Sequence, residues 1–299
     1  NITFGDEVNF DYLQITPLVI GGTTIDTTEN ISRKWLDNNF YVGTFSLNYD
    51  SNQTNAVFGG SYSTYNGDHF GNLIWAQYAS NVAPNHRFYE NNADKKDFNL
   101  YTKVTQRLGT AWTVYADVQF RTIAYNSIGT VKGPEPIAID DNLSFFNPKA
   151  GITYRASEAS RLYLSYAKAQ REPNRSDYEN GTPKPESLND FEAGWRFKKE
   201  KVQLQANFYY MDYENQLVLT GALDAVGEPI RTNSGDSYRF GLEIEAAIQF
   251  AEQWVWQPNL ALSSNKNKDF YFKRDGQLQN LGTTNISYSP NVVVASNLV

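Results

Sequence analysis

The chain has 299 residues, no cysteine and a formal net charge of −7. The lack of thiols excludes a disulfide framework, a thiolate metal site and thiol catalysis. The acidic balance argues against a nucleic-acid partner, because such proteins need a basic surface to displace phosphate counterions. No run of residues approaches the ~20 apolar positions of a membrane-spanning helix, although 15% of the residues are aromatic.

Regular structure is predicted to begin near Asn39. Residues 1–38 lack a steady apolar period, and we predict that they form mainly one long loop rather than a pair of strands. From Asn39 onward the period of two that is typical of strands recurs, and we expect about twelve strands of ~8–14 residues. The period is clearest in residues 112–121, 190–198 and 202–210.

The segment 202–210, VQLQANFYY, illustrates the problem that this alternation poses. Successive side chains of a strand point to opposite faces, so one face is apolar and the other carries Gln and Asn. A soluble β-sandwich fits this pattern, and so does a barrel wall with lipid outside and water inside. On the barrel interpretation the lipid-facing residues are Val202, Leu204, Ala206 and Phe208.

The lengths of the links between predicted strands favour the barrel. The short links are residues 51–54, 108–111, 156–160, 198–200, 251–253 and 289–290. The long links, rich in Gly, Asn, Asp and Pro, are residues 66–97, 122–146, 170–187, 214–236 and 264–282. Short and long links alternate along the chain, as expected of an antiparallel up-and-down transmembrane barrel with short periplasmic turns and long extracellular loops. A sandwich has Greek-key connections instead.

Large aromatic residues lie beside the short links. Stacking the hairpins side by side places six of them at one height, where they would form an interfacial girdle because such rings favour the headgroup level. The girdle residues are Trp112, Trp195, Phe197, Phe250, Trp254 and Trp256. The alternative is that these rings cap the core of a soluble sheet.

Several stretches resemble the barrel of the Bacteroidetes-type TonB-dependent outer-membrane receptors. They include RKWLDNNFYVGTFSLNYD, YNGDHFGNLIWA, ENNADKKDFNLYTKV, FNPKAGITYR, LYLSYAKAQREPNRSDY, PESLNDFEAGWRF, FYYMDYENQLVLTG, GEPIRTNSGDSYRFGLEIEA and NISYSPN, in that order. The resemblance covers nearly the whole chain. It implies that residues 1–299 are part of a 22-stranded β-barrel, without the N-terminal plug domain and without the final strands.

The resemblance also implies a location and partners. Receptors of this kind lie in the outer membrane of Gram-negative bacteria and draw energy from the TonB complex through the plug. Their partners are the surrounding lipid and a small chelate or other nutrient. We therefore expect outer-membrane import of a scarce solute, with an iron–siderophore complex as the leading substrate. We expect no cofactor and no nucleic acid.

The best candidate for ligand contact is the segment REPNRSDYENGTPKPES, which the resemblance places at the extracellular mouth. Arg171 and Arg175 are suited to bidentate contact with carboxylates or anionic chelates, and Tyr178 supplies a ring for stacking. The alternative is that Arg171 pairs with acidic residues of neighbouring strands and braces the wall.

A second set of candidates lies in residues 66–97. His69 and His86 are the only histidines, and Trp75 and Tyr89 lie near them in sequence. Ligation of haem is one interpretation, and two solvated histidines in a surface loop is the other. No metal site is predicted, and no catalytic motif such as HExxH or a nucleophile elbow occurs.

Glu243 and Glu245 share one strand face, and two carboxylates in that relation suit glycoside hydrolysis. A polar lumen wall is the preferred explanation, so no enzyme is predicted. Two other functions remain open. One is a passive porin or a barrel adhesin, and the other is a soluble all-β carbohydrate-binding domain.

Overall fold

The computed structural model describes every residue except 1, 80–82, 84, 132–134, 180, 182, 224–228, 234 and 275–276. The described chain is almost entirely β-structure with one five-residue helix. Its elements are β1 (Ile2–Ile20), β2 (Thr23–Asp50), β3 (Thr54–Ala76), β4 (Arg87–Leu108), β5 (Trp112–Val131), β6 (Glu135–Arg155), β7 (Ser160–Arg171), α1 (Arg175–Glu179), β8 (Glu186–Lys199), β9 (Val202–Glu214), β10 (Leu217–Leu223), β11 (Pro229–Asn233), β12 (Ser237–Ala251), β13 (Trp254–Asn267), β14 (Tyr271–Arg274), β15 (Gln277–Asn280), β16 (Thr284–Asn285) and β17 (Val292–Leu298).

Thirteen of these strands form one sheet. Neighbours along the chain are neighbours in the sheet from β1 to β9, and then β9 pairs with β12 and β12 with β13. The hairpins β10–β11 and β14–β15 form separate two-stranded sheets. A meander of this order is the up-and-down topology that the alternation of link lengths predicted.

Five of the six predicted short links are tight turns, at 51–53, 109–111, 156–159, 200–201 and 252–253. The sixth, at 289–290, is wrong. Both β16 and β17 pair with β13, so the chain runs beside a single partner on either side of Ser289 and Pro290. Residues 289–290 therefore interrupt the pairing of one continuous stretch of chain with β13. In a hairpin turn, the strand before the turn would pair with the strand after it.

Residues 1–38 are a strand pair, and the predicted loop is wrong. β1 and β2 pair from Ile2 with Asn38 up to Ile20 with Thr23. Gly21 and Gly22 close the hairpin with φ of +62° and +84°, the backbone that a two-residue type I′ turn requires and that glycine adopts without strain. The sequence prediction failed because it searched for apolar alternation, which this hairpin does not need in order to pair.

The long links 66–97 and 122–146 are also largely strand. β3 reaches Ala76 and β4 begins at Arg87, so these strands are 23 and 22 residues long. Polar side chains support this part of the sheet: Asn91 donates from Nδ2 to the carbonyl of Thr130 at 2.8 Å. Such contacts are invisible to a search for apolar alternation.

The described chain divides into two compact units. The first contains residues 1–44, 61–99 and 122–144, and the second contains residues 45–60, 100–121 and 145–299. The first unit has a buried interior that includes Leu73, Ala93, Ile123, Ile137 and Ile139.

One face of the second unit is apolar and exposed, and the register aligns its residues in rows. One row is Leu162, Trp195, Ala206, Ile244, Leu260 and Val294, and the next is Leu164, Ala193, Phe208, Leu242, Leu262 and Val292. A third row holds Tyr166, Phe191, Tyr210 and Phe240. A contiguous exposed apolar face of this size marks contact with lipid or with another apolar surface. Among the described residues, no helix is long and apolar enough to cross a membrane.

The opposite face of the second unit is polar and carries repeated tyrosine–glycine pairs. Tyr163 lies directly opposite Gly194, and Tyr209 lies directly opposite Gly241. A Cβ atom on either glycine would overlap the tyrosine ring. Tyr163 also donates a hydrogen bond to Asn207 Oδ1 at 2.8 Å. Glycine is required at these positions because the ring occupies the space that a side chain would fill.

Candidate functional site

Arg171 lies at the end of β7 on the polar face, directly opposite Glu186 on β8. Its Nη2 is 3.6 Å from Glu186 Oε2, and the same oxygen accepts a hydrogen bond from the backbone N–H of Leu217 at 2.8 Å. Glu186 is 14% exposed, whereas Arg171 is 53% exposed. The contact is the cross-strand ion pair of the bracing interpretation, and it leaves about half of the arginine side chain accessible.

The segment that follows Arg171 is held by its own polar contacts. Glu172 accepts a hydrogen bond from Arg121 Nη2 at 2.8 Å, and Arg175 donates from Nε to Glu179 at 2.8 Å. Asn174 and Asp177 exchange side-chain hydrogen bonds with each other's backbone N–H at 2.9 and 2.8 Å, which fixes the start of α1.

Tyr178 is a partly buried residue of α1. Its backbone carbonyl accepts the N–H of Gly181 at 3.4 Å. Within the predicted ligand segment, residues 175–179 therefore form a short helix that is held by polar contacts. Side chains on a held backbone lose less conformational entropy when a ligand binds.

A polar cluster that the sequence did not reveal lies beside this segment. The guanidinium of Arg239 lies 6.0 Å from the centre of the Tyr213 ring. Asp190 Oδ1 and Arg239 Nε are buried atoms without a hydrogen-bond partner in the described chain. Asp190 and Arg239 both pair with Met211, so they lie two strands apart on the same face, at roughly 10 Å.

Burial raises the pKa of Tyr213 above its ordinary value of 10.0, and the Arg239 charge only partly opposes this. The protonated hydroxyl donates a hydrogen bond to Met211 Sδ at 3.7 Å. The unsatisfied carboxylate oxygen of Asp190 and the unsatisfied guanidinium nitrogen of Arg239 can bind a polar group. The sequence did not single out Asp190, Tyr213 and Arg239, because charged residues at alternate positions of a strand indicate only a solvent-exposed face.

The second set of predicted ligand residues lies in the first unit. Tyr65 Oη and His69 Nε2 are 3.0 Å apart, and His86 is exposed, with its carbonyl accepting the N–H of Leu73 at 2.8 Å. Trp75 is 45% exposed. Tyr89 packs edge-on against Phe88 with ring centres 5.1 Å apart. Among the described residues, no group of three or more His, Cys, Asp or Glu side chains is placed to hold a metal ion.

A stack of cations and rings in the same unit was also missed. The Trp35 and Phe70 rings are stacked with centres 6.4 Å apart. The guanidinium of Arg33 lies 5.8 Å from the Trp35 centre, and that of Arg87 lies 4.2 Å from the Phe70 centre. Trp35 was overlooked because residues 1–38 were predicted to be a loop, and its contact with Phe70 depends on strand pairing.

The predicted girdle residues lie on the apolar face near the tight turns. Trp195 and Trp256 donate from Nε1 to Ser160 and Ser296, each at 2.9 Å, and Trp112 packs on Tyr154 with ring centres 4.4 Å apart. Trp112, Trp195, Phe250, Trp254 and Trp256 are exposed, and Phe197 is half-buried. Of the four residues predicted to face lipid, Phe208 is exposed, and Val202, Leu204 and Ala206 are half-buried.

Glu243 and Glu245 lie on the polar face of β12. They pair with Asn207 and Gln205 of β9. Uncharged amide neighbours of this kind form a polar wall and supply no nucleophile or general base for a hydrolytic reaction.

These features of the second unit define the class as the wall of a membrane β-barrel: an up-and-down sheet with one apolar face, one polar face and large aromatic residues near its tight turns. The sequence model of the family described as TonB-dependent receptor-like, β-barrel, matches residues 2–295. The chain therefore belongs to the TonB-dependent receptor β-barrel family, a family of receptors rather than of enzymes. No curated protein sequence matches it.

Solved structures show the same fold at low sequence identity. The ferric yersiniabactin uptake receptor FyuA from Yersinia pestis has a TM-score of 0.61 and 16% identity over 91% of this chain and 42% of its own. The siderophore receptor PiuA from Acinetobacter baumannii has a TM-score of 0.59 and 15% identity, over 91% of this chain and 44% of its own. The copper transporter OprC has a TM-score of 0.61 and 16% identity, over 79% of this chain and 39% of its own. The chain thus spans about two fifths of the structures that it matches.

Proposed function

We propose that the protein is an outer-membrane receptor of a Gram-negative bacterium that binds a scarce solute and imports it with energy from the TonB complex. The observation that carries the proposal is the family match over residues 2–295. The two-faced sheet of the second unit supports a membrane location, because strands that alternate between an apolar and a polar face are typical of a transmembrane barrel wall. Lipid and the TonB complex are the partners that follow.

The proposed substrate is an iron–siderophore complex. Two of the similar structures are a ferric yersiniabactin uptake receptor and a siderophore receptor. The chemistry of the candidate site is compatible with an anionic chelate, because Arg171 keeps about half of its side chain accessible beside the Glu186 contact. Arg175 and Tyr178 are the other proposed contacts of this segment. His69, Trp75, His86 and Tyr89 of the first unit are proposed separately as a second set of ligand contacts.

Growth of a deletion strain tests the import proposal. We expect cells without the protein to lose growth on one ferric siderophore supplied as the sole iron source, and to keep growth on ferrous iron. Parallel cultures on cobalamin and on glycans test the other nutrient classes. Normal growth of the deletion strain on every siderophore would overturn the iron proposal, and loss on another nutrient would replace it.

The Arg171 contact to ligand has a matched test. Arg171→Gln and Glu186→Gln both break the same ion pair, and glutamine at 186 keeps a carbonyl oxygen for the Leu217 N–H. A purely bracing role therefore predicts equal effects on the two variants. A ligand contact predicts that only Arg171→Gln raises the half-saturation concentration for uptake. The expected rise is about 10- to 100-fold, from the ~1.5–3 kcal/mol of a charged hydrogen bond. Equal half-saturation values in the two variants would remove Arg171 from the ligand site.

A further inference from the structure

Three arginines lie side by side on the polar face of the second unit, at the end where the tight turns are. Arg161 on β7 lies directly opposite Arg155 on β6 and directly opposite Arg196 on β8. All three side chains are exposed. Arg155 and Arg161 lie on either side of the turn at 156–159, and Arg196 lies four residues before the turn at 200–201. We call these three residues the arginine row.

The charges of the arginine row are poorly compensated within the chain. Like charges directly opposite each other on neighbouring strands destabilise a sheet. Arg155 Nη2 is 3.6 Å from Glu158 Oε1, but the Glu158 side chain is 96% exposed, and exposed pairs of this kind are weak. The guanidinium of Arg196 lies 5.1 Å from the centre of the Tyr163 ring. Among the described residues, the side chain of Arg161 makes no ion pair and no hydrogen bond, so the central arginine can accept an anion from outside the chain.

A cavity of about 410 Å³ on the same polar face is lined by two members of the arginine row. The lining side chains that carry hydrogen-bond donors are Arg161, Arg196, Lys198, Gln203 and Gln205. Of its two acids, Glu158 belongs to the tight turn, and Glu245 is separated from Arg196 by Gln205 in the register. Cavities of ~300–1,000 Å³ hold small molecules, and the planar fork of a guanidinium matches a carboxylate.

We propose that the arginine row and this cavity bind a small molecule that carries several carboxylates. The three cations are spaced at strand intervals of ~4.8 Å, which favours a multivalent anion over a single carboxylate because each charge-assisted hydrogen bond adds to the affinity. The site lies at the opposite end of β7 from Arg171. A role as a second contact for an imported anionic solute rests on the proposed function, whereas the binding itself does not.

Calorimetric titration of the purified whole receptor tests the site. The probe is benzene-1,3,5-tricarboxylate, in a buffer of low salt without other carboxylates or phosphate. We expect saturable binding that weakens about tenfold in Arg161→Gln, from the loss of one charged hydrogen bond. Benzoate should bind at least about tenfold more weakly than the tricarboxylate, for the same reason. No TonB complex is needed, so this result and the growth test of import can fail independently.

The control variant is Lys149→Gln, which removes an exposed cation from the same face of β6. Lys149 lies six residues from Arg155, or ~20 Å along the strand, which is beyond the ~10 Å over which charges act in 0.1 M salt. The control should bind the tricarboxylate as the wild type does. Because Arg161→Gln relieves like-charge repulsion, its urea unfolding midpoint should equal or exceed that of the wild type.

Four results would overturn the proposal. The first is equal binding of the tricarboxylate by the wild type and Arg161→Gln, and the second is an equal loss in Lys149→Gln. The third is a lower unfolding midpoint for Arg161→Gln, which would assign Arg161 a structural role. The fourth is tighter binding of a hexaglutamate peptide than of the tricarboxylate, which would identify the arginine row as a contact for an acidic protein segment.

Discussion

Placing a lysine on the apolar face tests the assignment of faces. Ala206 is the position of choice, because on β9 it lies midway between Val202 and Tyr210, the two ends of the apolar run. At ~3.3 Å per residue and a tilt of ~40°, Ala206 is roughly 10 Å from either end of the apolar band. That distance places the substituted side chain within the apolar band. Trp195 lies directly opposite Ala206, but its ring extends back toward the turn, where Nε1 donates to Ser160.

The expected cost of Ala206→Lys is about 1–4 kcal/mol, because the penalty of a lysine falls from ~2–4 kcal/mol at the bilayer midplane to ~0–1 kcal/mol at the interface. With a urea dependence of ~2 kcal/mol per molar, the unfolding midpoint should fall by about 0.5–2 M. The assay is urea unfolding of the receptor in lipid vesicles, followed by tryptophan fluorescence.

The matched control is Gln205→Lys, one residue away and on the polar face. Gln205 lies between Arg196 and Glu245 in the register, so repulsion from one and attraction to the other largely offset each other. We expect a change below about 1 kcal/mol. Equal destabilisation by the two lysines would show that the two faces are not distinguished by lipid, and the membrane assignment would be wrong.

Three further predictions concern packing, access and pH. Gly194→Ala should destabilise the sheet by about 1–3 kcal/mol, because the new methyl group overlaps the Tyr163 ring; urea midpoints should show little effect of the same change in a Tyr163→Ala background. Since the chain has no cysteine, single cysteines through residues 203–208 give a clean scan, and a water-soluble maleimide should label alternate positions only. Asp212 hydrogen-bonds Lys268 and raises its pKa above the usual 10.5, so the stability from this contact is complete below pH 10.5 and is lost as the pH rises through the higher folded-state pKa; Asp212→Asn should abolish that alkaline loss in unfolding measurements.

Sequence periodicity predicted the strands well where one face is apolar. β9 and the tight turn before it follow from the alternation of residues 202–210 and from the polar link at 198–200. The alternation is strong there because a one-residue shift in strand pairing would turn the apolar side chains to the polar face. The tight turns were visible for a related reason, since they interrupt a regular apolar period.

The paired strands of the first unit were not predictable in the same way. Residues 66–70, NGDHF, begin the predicted long link 66–97. In the structure they continue β3 and are held by side-chain contacts such as Asn92 Nδ2 to Asp68 Oδ1 at 2.7 Å. A strand stretch that depends on such polar contacts shows no regular apolar period in its sequence. Its existence depends on partners more than 20 residues away, which local patterns do not record.

The candidate site was predicted in its residue types but not in its contacts. The sequence singled out Arg171 and offered bracing or ligand contact, and the pair with Glu186 appears only when β7 and β8 align across α1. Arg239 and Tyr213 were missed because their relation is set by the pairing of β9 with β12. The contacts of the candidate site are made between neighbouring strands. Which residues become neighbours depends on the strand register, which is set by the tertiary structure and is not visible in the local sequence.

Energised uptake is the most direct test of the central claim. Iron-starved cells are given a radiolabelled ferric siderophore, with the receptor present or deleted and with the TonB complex active or inactivated. We predict saturable accumulation that requires both the receptor and the TonB complex. Uptake that is unchanged without the TonB complex and rises linearly with concentration would contradict the account and identify a passive pore.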